Sequence, residues 1–594
     1  MVPLRRLPPH LSEFTYRIPE KLAQHVAAGS VVRVQFKNSL IHGIVVALHD
    51  EQESPQSSKD IVAVAPISLT QTQLVLARHL AELYVQSLGV IFNSMLSDPP
   101  AQLKPASRVK DTISVLKKPV EESTYLLYKQ PDAFYTYLAS HLGAWRHDGQ
   151  TLLIAPERMQ RDALVSVARR AGAADVLLVP DKRRRHDFAR AWQQSGTAPV
   201  IVGGMLALLL PFEKLKRIVI IEAEHQQFHR AEQNPRYHLA DIVWHIAESY
   251  HTQVILSGFS PNIRLLYHCL QKKYPIKQIT GSPARPARIV DLQHERESGN
   301  FSLLSEPARD LIERTSGRLL LYYNRQGYAR LTVCADCGFT VRCERCDFPL
   351  ALEGSRKLLQ CGNCGFERAV LLQCPKCGSV ALRSKGTGSD RIVSDLKKLF
   401  PGKSVASFSS RSRAGDHGSA ASDIVVATAA ILSQRSFRFD AGIMLNADLD
   451  LHIPNYHAAE ALRHAIGVLR SMAGELLIQT FDPSQYVFTT LTAVDHFYRE
   501  ELNWRKTLSY PPFSTILKVW VREKDSAVYA ERRDQMLTYF RPALPTGPFE
   551  RREGSAYIAS ILCKLKPGDT GALDLLRSSS YTWMHAEINP YQLL

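Results

Sequence analysis

The residues best equipped for chemistry are cysteines, and they are crowded. Eight of the ten lie between Cys334 and Cys377 as four C-x-x-C pairs: Cys334/Cys337, Cys343/Cys346, Cys361/Cys364 and Cys374/Cys377. A C-x-x-C turn aims two thiolates at one tetrahedral centre, so two pairs complete a four-cysteine zinc site and eight thiolates imply two zinc ions. No histidine lies in the stretch. An all-thiolate set describes closed structural sites rather than catalytic ones, which keep a water position open. Disulfides fit poorly because nothing in the sequence suggests secretion. Iron–sulfur ligation fits poorly because its known spacings differ. Spacing alone leaves the pairing open: sequential pairing gives two ribbons side by side, nested pairing joins the first pair to the last.

A stretch this short has little core of its own, so larger elements must carry it. The 594 residues allow three to five domains, and a hydrophobic fraction of 45% fills large cores. The net charge of +16 suggests a polyanionic partner, most simply nucleic acid. The N-terminus has no apolar signal core, and the longest apolar run, Ala198 to Phe212, is interrupted by prolines and too short to span a bilayer. The expectation is a cytoplasmic protein with reduced thiols and no membrane partner, in which Cys269 and Cys563 are ordinary thiols.

Residues 1–100 read as a small β-rich domain followed by a helix. Val31–Phe36 and Ile41–Leu48 predict a hairpin, and Leu74 to Leu88 has helical periodicity. Residues 101–122 are polar and basic and read as a linker. From 123 to 301, short apolar runs (Tyr125–Tyr128, Thr151–Ala155, Asp175–Val179, Val200–Gly203, Arg217–Ile221, Gln253–Leu256) alternate with helical patterns. That is the rhythm of a parallel sheet with helical crossovers. Residues 302–333 and 384–519 read as a second such lobe with the cysteine module, 334–383, inserted in it. Residues 520–594 read as a small α+β domain. The basic run Lys182-Arg183-Arg184-Arg185-His186 suits either phosphate contact or a solvated helix start, and the latter is favoured.

The runs C-A-D-C-G-F-T-V-R-C-E-R-C-D-F-P-L, L-Q-C-G-N-C-G and C-P-K-C-G-S resemble the zinc module of the bacterial primosomal PriA family (primosomal protein N′, replication restart helicases). The resemblance covers about residues 10 to 520. It implies nested pairing: Cys334, Cys337, Cys374 and Cys377 on one zinc; Cys343, Cys346, Cys361 and Cys364 on the other. It also implies that both parallel-sheet lobes are RecA-like. Phe14–Glu20, then Gly29–Lys37 and His42–Val46, resemble the family's domain for the 3′ end of a DNA strand. There Phe14 matches the aromatic of the terminal-nucleotide pocket and suits base stacking, and Lys59 matches the family's lysine in position. The chain departs from the family at Thr15, where the family has Asp, and at Lys37, where it has Gly. Asn324–Ala329 follows the family's N-R-R-G-Y-A, which makes Arg325 and Tyr328 candidates for DNA contact, with a tight turn at Gly327 as the bland reading. Tyr510-Pro511-Pro512-Phe513 matches as well.

The nucleotide motifs are where the chain departs most. An ATP motor needs a Gly-rich loop for phosphates, a Lys and a Ser/Thr. After the first strand of this lobe the chain has Lys129-Gln130-Pro131-Asp132, without glycine. The lone G-K-S, Gly402-Lys403-Ser404, lacks the preceding glycine. The family's D-E-E-H is Glu222-Ala223-Glu224-His225, so the water-activating acid is alanine unless Glu224 substitutes. Of the arginine-finger motif only Arg470 survives. An arginine finger is worth ~10³–10⁵ in rate. Phosphate loop, water-activating acid and finger are altered together, so ATP is not an expected cofactor and no residue is expected to be catalytic; Glu222, Glu224, His225 and Arg470 are remnants.

The sequence thus predicts a multidomain α/β protein of replication restart. It is expected to bind branched or single-stranded DNA and to scaffold helicase loading, with two zinc ions and without ATP hydrolysis. By the resemblance its partners would be single-strand-binding protein and helicase-loading factors of the primosome. An active 3′–5′ helicase with a divergent site and a zinc-ribbon RNA-binding or transcription factor are the competing readings.

Overall fold

The computed structural model describes residues 1–5, 7, 13–49, 59–96, 122–180, 185–229, 235–279, 281, 286–323, 331–337, 339–344, 350–353, 358–361, 366–385, 389–408, 422–451, 455–553, 555–581, 583–591 and 593. The chain divides into two compact units. One holds Met1–Ser282, Gly568–Thr582 and Ala586–Ile588; the other holds Pro283–Pro567, Trp583–His585 and Asn589–Leu594.

The first unit begins with a four-stranded antiparallel sheet in the spatial order Val2–Pro3, Ser39–Ile44, Ser30–Phe36, Ile61–Ser68. The hairpin pairs Phe36 with Ser39, leaving Lys37 and Asn38 as a two-residue turn. Such turns need positive φ, and Lys37 adopts φ +50°. Where a glycine would sit freely, a Cβ is accommodated under strain. The expected second strand is shorter than the run Ile41–Leu48, and Ile61–Ser68 is a strand the periodicity missed. The expected helix is two: Gln71–Tyr84, opened by a capping box between Thr70 and Gln73, and Leu88–Met95. Val85, at φ +48°, ends the first.

Next comes a seven-stranded, all-parallel sheet in the order Ile276–Gln278, Thr124–Leu127, Gln253–Gly258, Leu215–Ile220, Gln150–Ile154, Val200–Gly203, Val176–Leu178. All six predicted strands are present, and Ile276–Gln278 is added at the edge. The central strands are buried on both faces, which is why they read as unbroken apolar runs rather than alternating ones. The helix Arg185–Ser195 starts inside the basic run, whose residues 182–184 lie outside the described residues.

The second unit is built on a six-stranded, all-parallel sheet: Ala287–Asp291, Ala473–Thr480, Phe439–Met444, Leu319–Tyr322, Ile424–Ala427, Val405–Phe408. Its edge strand Ala287–Asp291 precedes the boundary expected at 301/302. The strand Thr515–Glu523 straddles the one expected at 519/520, because it pairs over its whole length with Ala556–Leu565 of the C-terminal antiparallel sheet. The cysteine module leaves this lobe through a neck in which Leu331–Cys334 pairs with Leu382–Lys385. Inside the module, Leu350–Glu353, Leu358–Cys361 and Glu367–Ala369 form a small sheet over a core of Val341, Cys343, Leu350 and Leu359. The linker expected at 101–122 lies, save Glu122, outside the described residues. Among the described residues no helix is long and apolar enough to cross a membrane.

Candidate functional site

The neck fixes the first cysteine quartet. Cys334 ends one strand, and Ala335 N–H donates to Ala381 O (2.8 Å) across the neck. The turn Cys374–Gly378 closes through Gly378 N–H to Cys374 O (2.9 Å), with Gly378 at φ +70°. These two pieces of backbone bring the first C-x-x-C pair to the last. Sγ of Cys334 lies 3.6 Å from Cys377, and Sγ of Cys337 lies 3.6 Å from Cys374. All four sulfurs lie within 4.8 Å of one another. A tetrahedron with metal–sulfur bonds of about 2.3 Å has edges of about 3.8 Å, so the quartet is a metal-sized cage. Backbone donation from the Cys337 N–H pulls the Cys334 thiol down to about 6. At Cys377 the Ser379 N–H pulls the other way from the neighbouring sulfurs, which win and raise that thiol to about 12. A cation at the centre would ionise all four. Of the second quartet, Cys343 is buried in the module core and Cys361 ends a strand. Cys346 and Cys364 lie outside the described residues, as do Arg325 and Tyr328.

Ligands of open parallel sheets bind beyond the carboxyl ends of the strands. At that edge of the first sheet, three residues, Tyr128, Lys129 and Gln130, join the strand Thr124–Leu127 to the helix Pro131–Asp148. Tyr128 is buried; its N–H donates to Gly258 O (3.2 Å), and its ring stands edge-on to Phe259 (4.9 Å) and tilted against Phe134 (6.0 Å). The space after the first strand is therefore packed with aromatic rings. Glu224 Oε1 accepts from the backbone N–H groups of Phe259 (2.8 Å) and Ser260 (3.3 Å). Through this oxygen the carboxylate braces the neighbouring loop. Glu222 is buried with φ +48°, and its carbonyl accepts from His225 N–H. His225 Nδ1 accepts from Gln227 N–H (3.1 Å), turning Nε2 towards Glu157 Oε1 at 3.6 Å. Gly402-Lys403-Ser404 precedes a strand, not a helix: Lys403 donates to Thr315 O and Ser404 to Asp423.

In the second unit Arg470 lies in the last turn of the helix Ala458–Met472, and burial lowers its pKa. Arg463, about two turns earlier on the helix, is spent on structure: it donates to the carbonyls of Val487 and Thr490, and burial lowers it to about 10. In the N-terminal sheet domain Phe14 is half-buried and edge-on to Phe36 (centroids 5.1 Å). Lys59 is exposed on the segment that bonds the Phe14 segment, through Arg17 N–H to Lys59 O (2.9 Å) and Arg17 Nε to Asp60 (2.6 Å). The two candidates are thus on adjacent backbone.

The sequence reading missed a buried polar group in the first unit. His229 Nδ1 lies 2.8 Å from His238 Nδ1, His229 Nε2 lies 3.0 Å from Glu587 Oε1, and Arg236 holds the other Glu587 oxygen at 2.5 Å. Burial would raise Glu587, but the hydrogen bond from His229 and the charge of Arg236 outweigh it and hold the carboxyl below its ordinary range. Glu587 lies 349 residues beyond His238, so spacing carries no signal of the group.

The geometry can be set beside known proteins. Residues 3–97 match the family model of the PriA 3′ DNA-binding domain. The replication restart protein PriA of Bacillus subtilis is 29% identical over 56% of this chain and 45% of its own length. That of Chlamydia pneumoniae is 26% identical over 64% and 55%. That of Rickettsia conorii is 24% identical over 85% and 84%. This chain is a relative of PriA. It spans about half the length of the first of these PriA relatives. The PriA domain match encloses Phe14, Lys37 and Lys59. Among solved structures, S. cerevisiae Dbp5 bound to RNA and ADP BeF3 is 12% identical over 74% of this chain and 96% of its own, with TM-score 0.34. RecG bound to a three-way DNA junction is also 12% identical, over 75% and 50%, with TM-score 0.33.

Proposed function

We propose that the chain is a replication-restart protein that binds branched DNA, scaffolds helicase loading and does not hydrolyse ATP. The relation to PriA and the match to the 3′ DNA-binding domain support DNA as the ligand. The observation that carries the motorless half is the connection Tyr128–Gln130. A phosphate-cradling loop presents several backbone N–H groups to the anion; here three residues join strand to helix, Tyr128 is packed against Phe259, and Pro131 has no N–H. Glu224 is bonded to the next loop, and no acid follows Glu222 directly. Electrostatic stabilisation is nearly all that an enzyme contributes to phosphoryl transfer, so these changes remove the reaction and leave the lobes as a frame.

The module is proposed to hold two zinc ions in nested quartets. The 3.6 Å sulfur edges of Cys334, Cys337, Cys374 and Cys377 support the first; the second rests on the spacing of Cys343, Cys346, Cys361 and Cys364. Closed zinc sites hold the module's shape, contributing about 10–16 kcal/mol each in apparent metal-binding free energy. Single-strand-binding protein and helicase-loading factors are the proposed protein partners, in the cytoplasm. Forked-DNA binding with and without magnesium-ATP is the test. Equal affinity in both conditions supports the reading; strand separation driven by ATP, or preference for structured RNA over a fork, overturns it.

A further inference from the structure

The second unit contains a cavity of about 1060 Å³ between the helices Ala458–Met472 and Val494–Thr507 and the C-terminal sheet. Its wall is mainly aromatic and aliphatic. Tyr456 and Tyr510 present ring planes only 10° apart with centroids at 5.5 Å, and Phe549 faces in from the strand Thr546–Glu553. Trp504 and Leu508, both lining residues, are 52% and 49% exposed.

Charge decides what such a cavity accepts. Three lining carboxylates are hydrogen-bonded by donors of the fold itself, and one of them, Glu501, is paired with Arg505. Asp448 accepts from Thr480 Oγ1 (2.7 Å) and Phe481 N–H (2.8 Å). Asp482 accepts from Ser484 and Gln485. Glu501 accepts from Arg505 (2.7 Å) and Tyr486 (2.5 Å). Every carboxylate oxygen on this wall thus has a donor within the fold. Lys564 differs: its Nζ gives one proton to Leu508 O (2.8 Å) and stands 4.0 Å from the centre of the Tyr510 ring. That leaves ammonium donors next to an aromatic face. A flat aromatic ligand carrying a phosphate fits this combination: its ring goes against the half-exposed Trp504 and its anion to Lys564.

Building on the reading of the chain as a DNA-binding protein, we propose that this cavity takes an unpaired nucleobase of single-stranded DNA, stacked on Trp504, with the adjoining phosphate on Lys564. Base–aromatic stacking tolerates any sequence because every base has a π-face, so the site would hold a displaced strand without reading it.

The full chain is titrated with a single-stranded oligonucleotide while tryptophan fluorescence is followed, and in parallel with a deoxynucleoside monophosphate. The monophosphate probes the cavity independently of fork binding. Both are expected to quench fluorescence in the parent chain. Trp504→Phe keeps an aromatic face and should bind with the quench lost. Trp504→Ala should weaken oligonucleotide binding about 5- to 150-fold; because Trp504 is exposed, this change leaves the fold intact. Lys564→Gln should make the dependence of log affinity on log salt shallower by about 0.7. Fork binding without any quench at Trp504, or unchanged oligonucleotide affinity in Trp504→Ala, overturns the cavity and leaves the DNA-binding reading standing. Quenching by the monophosphate in a chain that does not bind forks overturns the DNA-binding reading alone. Quenching by neither probe overturns the proposal.

Discussion

Arg505 offers the sharpest test of how the second unit is held together. Its guanidinium is 2% exposed and bonds Glu501 Oε1 at 2.7 Å, Glu460 Oε2 at 2.8 Å and the carbonyl of Pro511 at 3.3 Å. Burial alone would raise Glu460; the hydrogen bond from His457 and the charge of Arg505 outweigh it and hold the carboxyl at about 2. Arg505→Met keeps the stem and removes the charge. Each close pair is worth about 4 kcal/mol at an effective dielectric of about 20, and removing one partner of a buried pair typically costs about 3–5 kcal/mol because the other charge is stranded. The expected loss is therefore about 3–5 kcal/mol at neutral pH. Its pH dependence has a fixed sign. A depressed carboxyl gives stability that is present above its ordinary value of 4.5 and lost as pH falls through about 2. Without Arg505 only His457 is left to oppose burial, so Glu460 takes up a proton at higher pH, and the deficit should be greatest at neutral pH and shrink towards pH 4. Hydrogen exchange of the helix Ala458–Met472 and urea unfolding read the effect in the right unit. The double variant Glu460→Gln/Arg505→Met should recover part of the loss. A deficit under about 1 kcal/mol, or one that does not change between pH 7 and pH 4, would refute the reasoning.

Other expectations follow from single contacts. Lys37→Gly, at φ +50°, should stabilise the N-terminal sheet by about 0.5–1 kcal/mol, seen as slower exchange of the Ser30–Phe36 and Ser39–Ile44 amides. Glu224→Ala leaves the Phe259 and Ser260 amides without their acceptor and should destabilise the first unit by about 1–3 kcal/mol; no change in urea midpoint would remove the brace assigned to Glu224. Cys374→Ser should lower bound zinc from two ions per chain to one by elemental analysis and leave the neck open to proteolysis, whereas two retained ions would contradict the quartet.

Much of the architecture could be read beforehand, for physical reasons. Thr151–Ala155 and Val200–Gly203 lie in the middle of a sheet buried on both faces, so each appears as an unbroken apolar run. The cysteines announced a metal-sized cage because C-x-x-C spacing is itself the geometry. What failed to show depends on three dimensions. The pattern Leu74–Leu88 stays helical in hydropathy through Val85, where the backbone turns left-handed. Glu460, Arg505 and Glu501 look like ordinary surface charges until the fold buries them together. That no glycine lies between Leu127 and Pro131 was legible; that the rings of Tyr128, Phe134 and Phe259 pack together at that connection was not.

The central claim is that lobes of this form grip a branched junction without consuming ATP. Single-turnover ATP hydrolysis, measured with saturating forked DNA, tests it most directly. The account predicts no hydrolysis above background while the fork stays bound. Hydrolysis that Glu222→Ala abolishes would contradict it.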